Sequence, residues 1–160
     1  MKNILFVAAL PLMSAQVQAP PRFFRVQTTT LTVVANTELR AGSTAMLSLE
    51  LHEVAERPAG LIWKLLPPAG AIMVGAFADP SVLVAGKSLI CSQSTHKCIL
   101  FGVNRTTMGE GTVAHVQVRL GAEYRGGDFQ LTELSASTAG GTEIPMEAGP
   151  SRPPRSILSR

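Results

Sequence analysis

The chain has 160 residues and a formal charge of +3, from 14 lysines and arginines against 11 aspartates and glutamates. This length fits one domain, whose core can be large enough to fold without a metal. Four basic residues lie near the two ends, so the body between them is close to neutral; they are Lys2, Arg152, Arg155 and Arg160. A nucleic-acid-binding domain would carry a basic stripe interleaved with aromatic rings, and the sequence contains none. We therefore expect no nucleic-acid partner.

The N-terminus is typical of an exported protein. Lys2 precedes an apolar run over residues 4–12, and small and polar residues follow as far as Ala19, which is the order of a secretory signal peptide. The run is too short to span a bilayer, so we expect no membrane span. The sequence predicts a signal peptide over 1–19, a linker over 20–29, and a secreted, periplasmic or cell-surface location. The alternative is that the run forms a buried first strand.

Nine strand-like segments follow at short intervals, with turn signals between them and no convincing helical periodicity. The second segment is the clearest, because Ala45, Leu47, Leu49 and Leu51 point one way, as in a strand with one buried face. Residues 79–86 could form a short helical turn or a loop. The pattern predicts an antiparallel β-sandwich. The predicted strands are 30–35, 44–51, 61–66, 71–77, 87–91, 98–103, 112–120, 128–136 and 142–146.

The two cysteines, Cys91 and Cys98, flank a polar hairpin loop between two apolar strands. An even pair at the base of such a hairpin in an exported protein predicts a disulfide. Free thiols are one alternative, and a metal site that includes His96 is another. Zinc needs four ligands, or three and a water, and neither His52 nor His115 has a ligand-like neighbour at a suitable spacing. We expect no metal and no cofactor.

Catalytic patterns are missing from the sequence. The chain has three histidines and no nucleophile-elbow motif, so nothing predicts a serine or cysteine triad. Candidate carboxylates for glycoside hydrolysis, such as Glu50 and Glu110, are scattered or crowd a strand end. We therefore predict no catalytic residues, and a small hydrolase is the least favoured interpretation.

On the two strands that carry the cysteines, the residues that point to one face and the residues that point to the other are both apolar. Because a sandwich strand has one face in the core, one set must point outwards unless another element covers it. A disulfide packs well in a core, so we place Leu89, Cys91, Cys98 and Leu100 inward. The outward set is then Ile90, Ile99 and Phe101, which Ile62 and Lys64 would extend. Exposed apolar patches usually mark interaction sites; the alternative is that Phe23-Phe24 or the tail covers this one.

Aromatic rings that could stack on sugars are few. Trp63 shares its parity with Leu61 and Leu65, which predicts a core position. Tyr124 precedes Gly126-Gly127 in a turn, and it is the ring that we expect to be exposed. It is the candidate carbohydrate contact.

Five segments carry a family resemblance: AGSTAMLSLEL, PAGLIWKLLPPAGAI, AGKSLICSQSTHKCILFGVN, GEGTVAHVQVRL and FQLTELSASTAGGTEIPMEAG. In this order they resemble the cohesin-like domains of the carbohydrate-binding (CBM2/CBM3-type) β-sandwich superfamily. The resemblance implies an all-β fold, a nine-stranded antiparallel jelly-roll or Ig-like β-sandwich. This cohesin-like domain would cover residues 30–148, and a Pro/Arg-rich tail would cover 149–160.

The same resemblance implies a function. Cohesins bind dockerin modules, and related domains bind polysaccharide or occur in envelope secretion proteins. We therefore expect a non-enzymatic extracytoplasmic interaction module that docks a protein partner, dockerin-like or from an envelope assembly, through one sheet face. The alternative is a carbohydrate-binding module for soluble polysaccharide, linked to polysaccharide catabolism.

Overall fold

Alternating apolar residues make most of the chain a succession of short strands. The computed structural model describes residues 28–52 and 56–153; the predicted signal peptide, nearly all of the predicted linker and residues 154–160 of the predicted tail lie outside them. The elements are β1 Thr29–Ala35, β2 Thr44–His52, β3 Gly60–Leu66, β4 Ala71–Ala78, α1 Pro80–Val84, β5 Ser88–Cys91, β6 Lys97–Phe101, β7 Gly111–Leu120, β8 Gln130–Ser137, β9 Glu143–Ile144 and β10 Met146–Ala148.

The strands form two five-stranded sheets. In the first sheet the order is β10-β1-β2-β7-β4, and in the second it is β5-β6-β3-β8-β9. Paired strands are antiparallel except β1 and β10, which run in the same direction. The predicted all-β sandwich is therefore confirmed.

The core lies between the two sheets and follows the predicted parity. Leu47, Leu49 and Leu51 on β2 are fully buried, and so are Trp63 and Leu65 on β3. Burying one large aliphatic or aromatic side chain stabilises the fold by about 1.5–3 kcal/mol. The predicted core position of Trp63 is confirmed.

The end of the chain differs from the prediction of one last strand over 142–146. Pro145 divides that segment, because proline has no backbone N–H to donate to a ladder. Before it, β9 pairs with β8 in the second sheet; after it, β10 crosses to the first sheet and pairs with β1. The β1–β10 pair is parallel, so the arrangement is not purely antiparallel.

Pairing with β1 continues beyond the predicted domain boundary at residue 148. The Gly149 N–H donates to the Leu31 carbonyl at 2.8 Å, and the Arg152 N–H donates to the Val33 carbonyl at 2.9 Å. The Ala35 N–H returns a hydrogen bond to the Arg152 carbonyl at 3.1 Å. Residues 149–152 thus lie along the edge of the first sheet.

Residues 79–86, for which the sequence left two options, contain the helical turn α1. Asp79 is its N-cap and Pro80 follows at the first helical position, an arrangement that suits a helix start because proline lacks a donor there. The Asp79 carboxylate accepts hydrogen bonds from the Ser81 N–H at 2.9 Å and from the Ser81 hydroxyl at 2.6 Å. This cap begins the connection from β4 in the first sheet to β5 in the second.

Candidate functional site

An apolar row crosses the outer face of the second sheet. Ile90 on β5 is opposite Ile99 on β6, and Ile99 is opposite Ile62 on β3. Ile90 is 60% exposed, Ile99 and Phe101 are each 41% exposed, and Ile62 is half-buried. We call Ile62, Lys64, Ile90, Ile99 and Phe101 the isoleucine face. These are the residues that the sequence predicts as a partner-binding face.

The other parity of the same two strands points inward, as predicted. Cys98 and Leu100 are fully buried, and Leu89 and Cys91 pack against the core. The predicted orientation of the cysteine-linked strands is therefore confirmed. Phe23-Phe24, which the sequence offered as a cover for the outward set, lies outside the described residues.

Small residues beside the isoleucines leave a groove of about 200 Å³ in this face. Ile62, Ile99 and Phe101 form one side, whereas Ser135 and Ser137 on β8 form the other. Gly60 also lines the groove, next to Ser137, and a Cβ added there would lie 3.1 Å from the Ser137 hydroxyl oxygen. Such a groove can receive an apolar side chain from a partner.

A charged cluster borders the row on one side. The Glu133 carboxylate bridges Lys64 at 3.1 Å and Lys97 at 2.9 Å, and hydrogen bonds from Lys97 and Lys64 lower the pKa of Glu133. All three side chains are partly exposed, so these ion pairs contribute little to stability. Lys64 thus belongs to a border of two cations and one anion beside the apolar row.

The predicted disulfide between Cys91 and Cys98 is present, with an S–S distance of 2.06 Å. It joins the end of β5 to the start of β6. Because β5 has four residues and is the edge of its sheet, this link holds the strand that carries Ile90.

Replacing both cysteines with serine should destabilise the domain by about 2–3 kcal/mol, the loop-closure value for so short a loop. Chemical denaturation of the wild type, the double variant and the reduced wild type measures this loss. Reduced wild type should resemble the variant. If neither the variant nor reduction lowers the free energy of unfolding, the disulfide has no stabilising role.

A line of polar side chains lies on the outer face of the first sheet, and the sequence did not predict it. The Asn36 amide donates to the Ser48 hydroxyl at 2.9 Å, and that hydroxyl lies 3.3 Å from His115 Nδ1. His115 Nε2 lies 3.0 Å from the Asp79 carboxylate. Because an ionised carboxylate only accepts hydrogen bonds, Nε2 carries the proton in this arrangement.

Ser48, His115 and Asp79 are the residue types of a hydrolase triad, but their geometry differs from one. In a Ser-His-Asp triad the serine contacts Nε2 and the aspartate contacts Nδ1, which is the reverse of this order. Ser48 is also buried, so a substrate cannot reach its hydroxyl in this conformation. The arrangement instead joins the α1 cap to β7 and β2.

Asp79 makes the stability contributed by this line of polar side chains depend on pH. The Ser81 hydroxyl lowers the pKa of Asp79 most, and His115 also lowers it, while burial opposes both. A carboxyl group with a lowered folded-state pKa stabilises the fold above its ordinary pKa, and this contribution is lost as the pH falls. Asp79→Asn, which retains a capping oxygen, should cost about 1 kcal/mol at pH 7.

Urea denaturation at several pH values measures the difference between wild type and Asp79→Asn. The difference should be full at pH 7 and should shrink below about pH 4, the ordinary pKa of an aspartate. A difference that is unchanged at pH 2–3 would show that the charge of Asp79 is not the cause.

The prediction that Tyr124 is exposed is wrong. Its ring is buried in the hydrophobic core, and the adjoining turns pack closely, since a Cβ at Gly70 would lie 2.7 Å from the Tyr124 backbone nitrogen. A turn position favours exposure, but here the turn folds back onto the end of the sandwich. Phe77 and Phe101 are exposed on opposite sheets and share no platform for a sugar.

Within residues 28–52 and 56–153, no group of three or more His, Cys, Asp or Glu side chains is placed to hold a metal ion. His96 lies in the hairpin loop with a positive φ of 56°. No helix in these ranges is long and apolar enough to cross a membrane.

The fold is similar to those of solved cohesin modules. The third ScaB cohesin of R. flavefaciens, solved in complex with a group 1 dockerin, superposes with a TM-score of 0.60 and 9% identity, covering 80% of this chain and 97% of that one. A non-cellulosomal cohesin from the archaeon Archaeoglobus fulgidus gives a TM-score of 0.57 and 12% identity, covering 78% and 88%.

A cohesin module from a family 33 glycoside hydrolase of Clostridium perfringens ATCC13124 gives a TM-score of 0.56 and 9% identity, covering 77% of this chain and 99% of that one. No protein-family model matches the chain, and no curated protein sequence matches it. The chain therefore has a cohesin-like fold. The wider CBM2/CBM3 assignment stays a prediction.

Proposed function

We propose that this chain is a non-enzymatic docking module that binds a dockerin-like protein through the isoleucine face. The observation that carries the proposal is the register of Ile90, Ile99 and Ile62, which places three isoleucines in one row across three strands. The groove beside the row supplies a recess for a partner side chain, and the charged border can set the partner's orientation.

Other exposed apolar residues form a less suitable surface. Ile72, Val74 and Phe77 are exposed on β4, but they follow one edge strand, and the register with β7 shifts between Met73 and Gly75. A partner that buries a flat patch of standard size needs several adjacent strands. The isoleucine face meets that requirement, and β4 alone does not.

The partner class is supported by the fold. One similar cohesin was solved with a dockerin bound, and we carry that class of partner over to this chain as a proposal. The Cys91–Cys98 disulfide and the predicted signal peptide both favour a location outside the cytoplasm, where disulfides persist.

A binding panel tests the function. The immobilised protein is titrated with purified dockerin modules, including a group 1 dockerin, and with a purified envelope-assembly protein. It is also run in affinity gels that contain soluble polysaccharides. We expect at least one dockerin to bind with a Kd of about 1 μM or tighter, and no polysaccharide to retard the protein. Binding of a purified envelope-assembly protein instead would replace the partner class, and retardation by polysaccharide would overturn the proposal.

A further inference from the structure

Lys87 is a buried cation next to the isoleucine face. It lies between α1 and β5 and is among the most completely buried side chains. Within residues 28–52 and 56–153, both hydrogen bonds of its ammonium group go to Asn104, at 2.9 Å to Oδ1 and 3.4 Å to the carbonyl oxygen. Burial lowers the pKa of Lys87, as expected for an amine that is removed from water.

Asn104 joins this lysine to a second loop. Its side-chain amide donates to the Ala85 carbonyl at 2.9 Å, so the loop after β6 is fastened to the loop after α1. The backbones also meet closely, because a Cβ at Gly102 would lie 2.6 Å from the Gly86 carbonyl oxygen. We call Ala85, Lys87 and Asn104 the loop clamp.

The two clamped segments, the end of α1 and the loop after β6, present aliphatic side chains to solvent. Val84 is 91% exposed and Val103 is 106% exposed, and Leu83 is exposed beside Val84. We call these three residues the apolar tip. Single exposed aliphatic residues are common on protein surfaces. Here Leu83 and Val84 end α1 and Val103 follows β6, and the hydrogen bond from Asn104 to Ala85 holds these two segments together.

The apolar tip lies at one end of the isoleucine face. Ile99 and Phe101 point outward along β6, and Val103 follows two residues later. Ser88, the first residue of β5, is paired with Phe101, so the loops that precede β5 and follow β6 are neighbours at that end. The apolar tip therefore lies close to the Phe101 end of the isoleucine face.

We propose that the loop clamp holds the apolar tip as an extension of the docking surface, so that the protein partner that covers the isoleucine face also contacts Val84 and Val103. This inference rests on the proposed function. A buried cation with a neutral partner costs stability, so the clamp is not explained as a stabilising feature. Fixing two loops before binding lowers the ordering cost of association, and this makes Lys87 a positioning residue.

The clamp is tested without a partner by hydrogen–deuterium exchange and thermal unfolding of Lys87→Met. We expect an unchanged or higher Tm, together with roughly tenfold faster exchange in residues 83–87 and 101–105 and wild-type exchange in β2 and β7. Asn104→Ala, at an exposed position, serves as a second variant: it should speed exchange in the same two segments, but with a lower Tm, because the buried Lys87 ammonium loses its acceptor at 2.9 Å. Wild-type exchange in both segments, or a loss of stability across the whole domain in Lys87→Met, would overturn the clamp.

The tip is tested with the dockerin that binds the wild type most tightly in the panel. Val84→Ser with Val103→Ser should weaken binding roughly tenfold and leave Tm unchanged, and Lys87→Met should also weaken it. Val74→Ser, a valine on the edge strand of the first sheet, is the matched control and should bind as wild type. Unchanged affinity of the double variant would overturn the tip, whereas no dockerin binding by wild type would overturn the proposed function itself.

Discussion

Replacing Ile99 with Ser and Phe101 with Lys is expected to abolish partner binding while leaving the thermal stability nearly unchanged. Both side chains are outward and partly exposed, so their loss removes few core contacts. In a complex they would lie near the centre of the contact, where apolar anchors contribute most and an unpaired charge is costly. Titration calorimetry with the dockerin that binds the wild type measures the first effect, and thermal unfolding of the free protein measures the second.

The opposite sheet supplies a matched control. Ile72→Ser with Phe77→Lys makes the same changes at residues that are 47% and 50% exposed, and this variant should bind as wild type. If it also loses binding, the loss is not specific to the isoleucine face. A fall in the free energy of unfolding of more than about 2 kcal/mol in the Ile99/Phe101 variant would mean that those side chains belong to the core.

The second large effect is a loss of stability on truncating Leu100, the residue that follows Ile99. Leu100 is fully buried, so Leu100→Ala should destabilise the domain by about 3 kcal/mol through lost burial and the cavity left behind. Ile99→Ala should cost less than about 1 kcal/mol. Urea denaturation of the two single variants compares adjacent positions on one strand, and similar losses at both would contradict the orientation of β6.

The features of the fold that could be predicted from the sequence are the local ones. The two-residue period placed Leu47 and Leu49 in the core, and packing of the disulfide against the core gave the correct orientation of β5 and β6. The strand direction at the end of the chain was not predictable in the same way. Pro145 was visible in the sequence, but that β10 crosses to the other sheet depends on contacts with the distant β1.

The polar and charged features depended on pairing register, which a single sequence does not contain. Ser48 and His115 are 67 residues apart, and they meet because β2 and β7 are neighbours. Glu133 reaches Lys64 and Lys97 because β8, β3 and β6 are successive strands of the second sheet. Lys87 was placed in a strand, and a lysine is expected in solvent; its burial is a property of the two loops that Asn104 joins.

Isoleucine-methyl NMR tests most directly whether the partner covers the isoleucine face. Selectively labelled protein carries reporter methyl groups on that face at Ile62, Ile90 and Ile99, on the first sheet at Ile72, and in the core at Ile144. When the dockerin that binds the wild type is added, we predict large shifts or broadening at the methyl groups of Ile62, Ile90 and Ile99. The methyl groups of Ile72 and Ile144 should change little. Perturbation centred on Ile72, with Ile90 and Ile99 unaffected, would contradict the account.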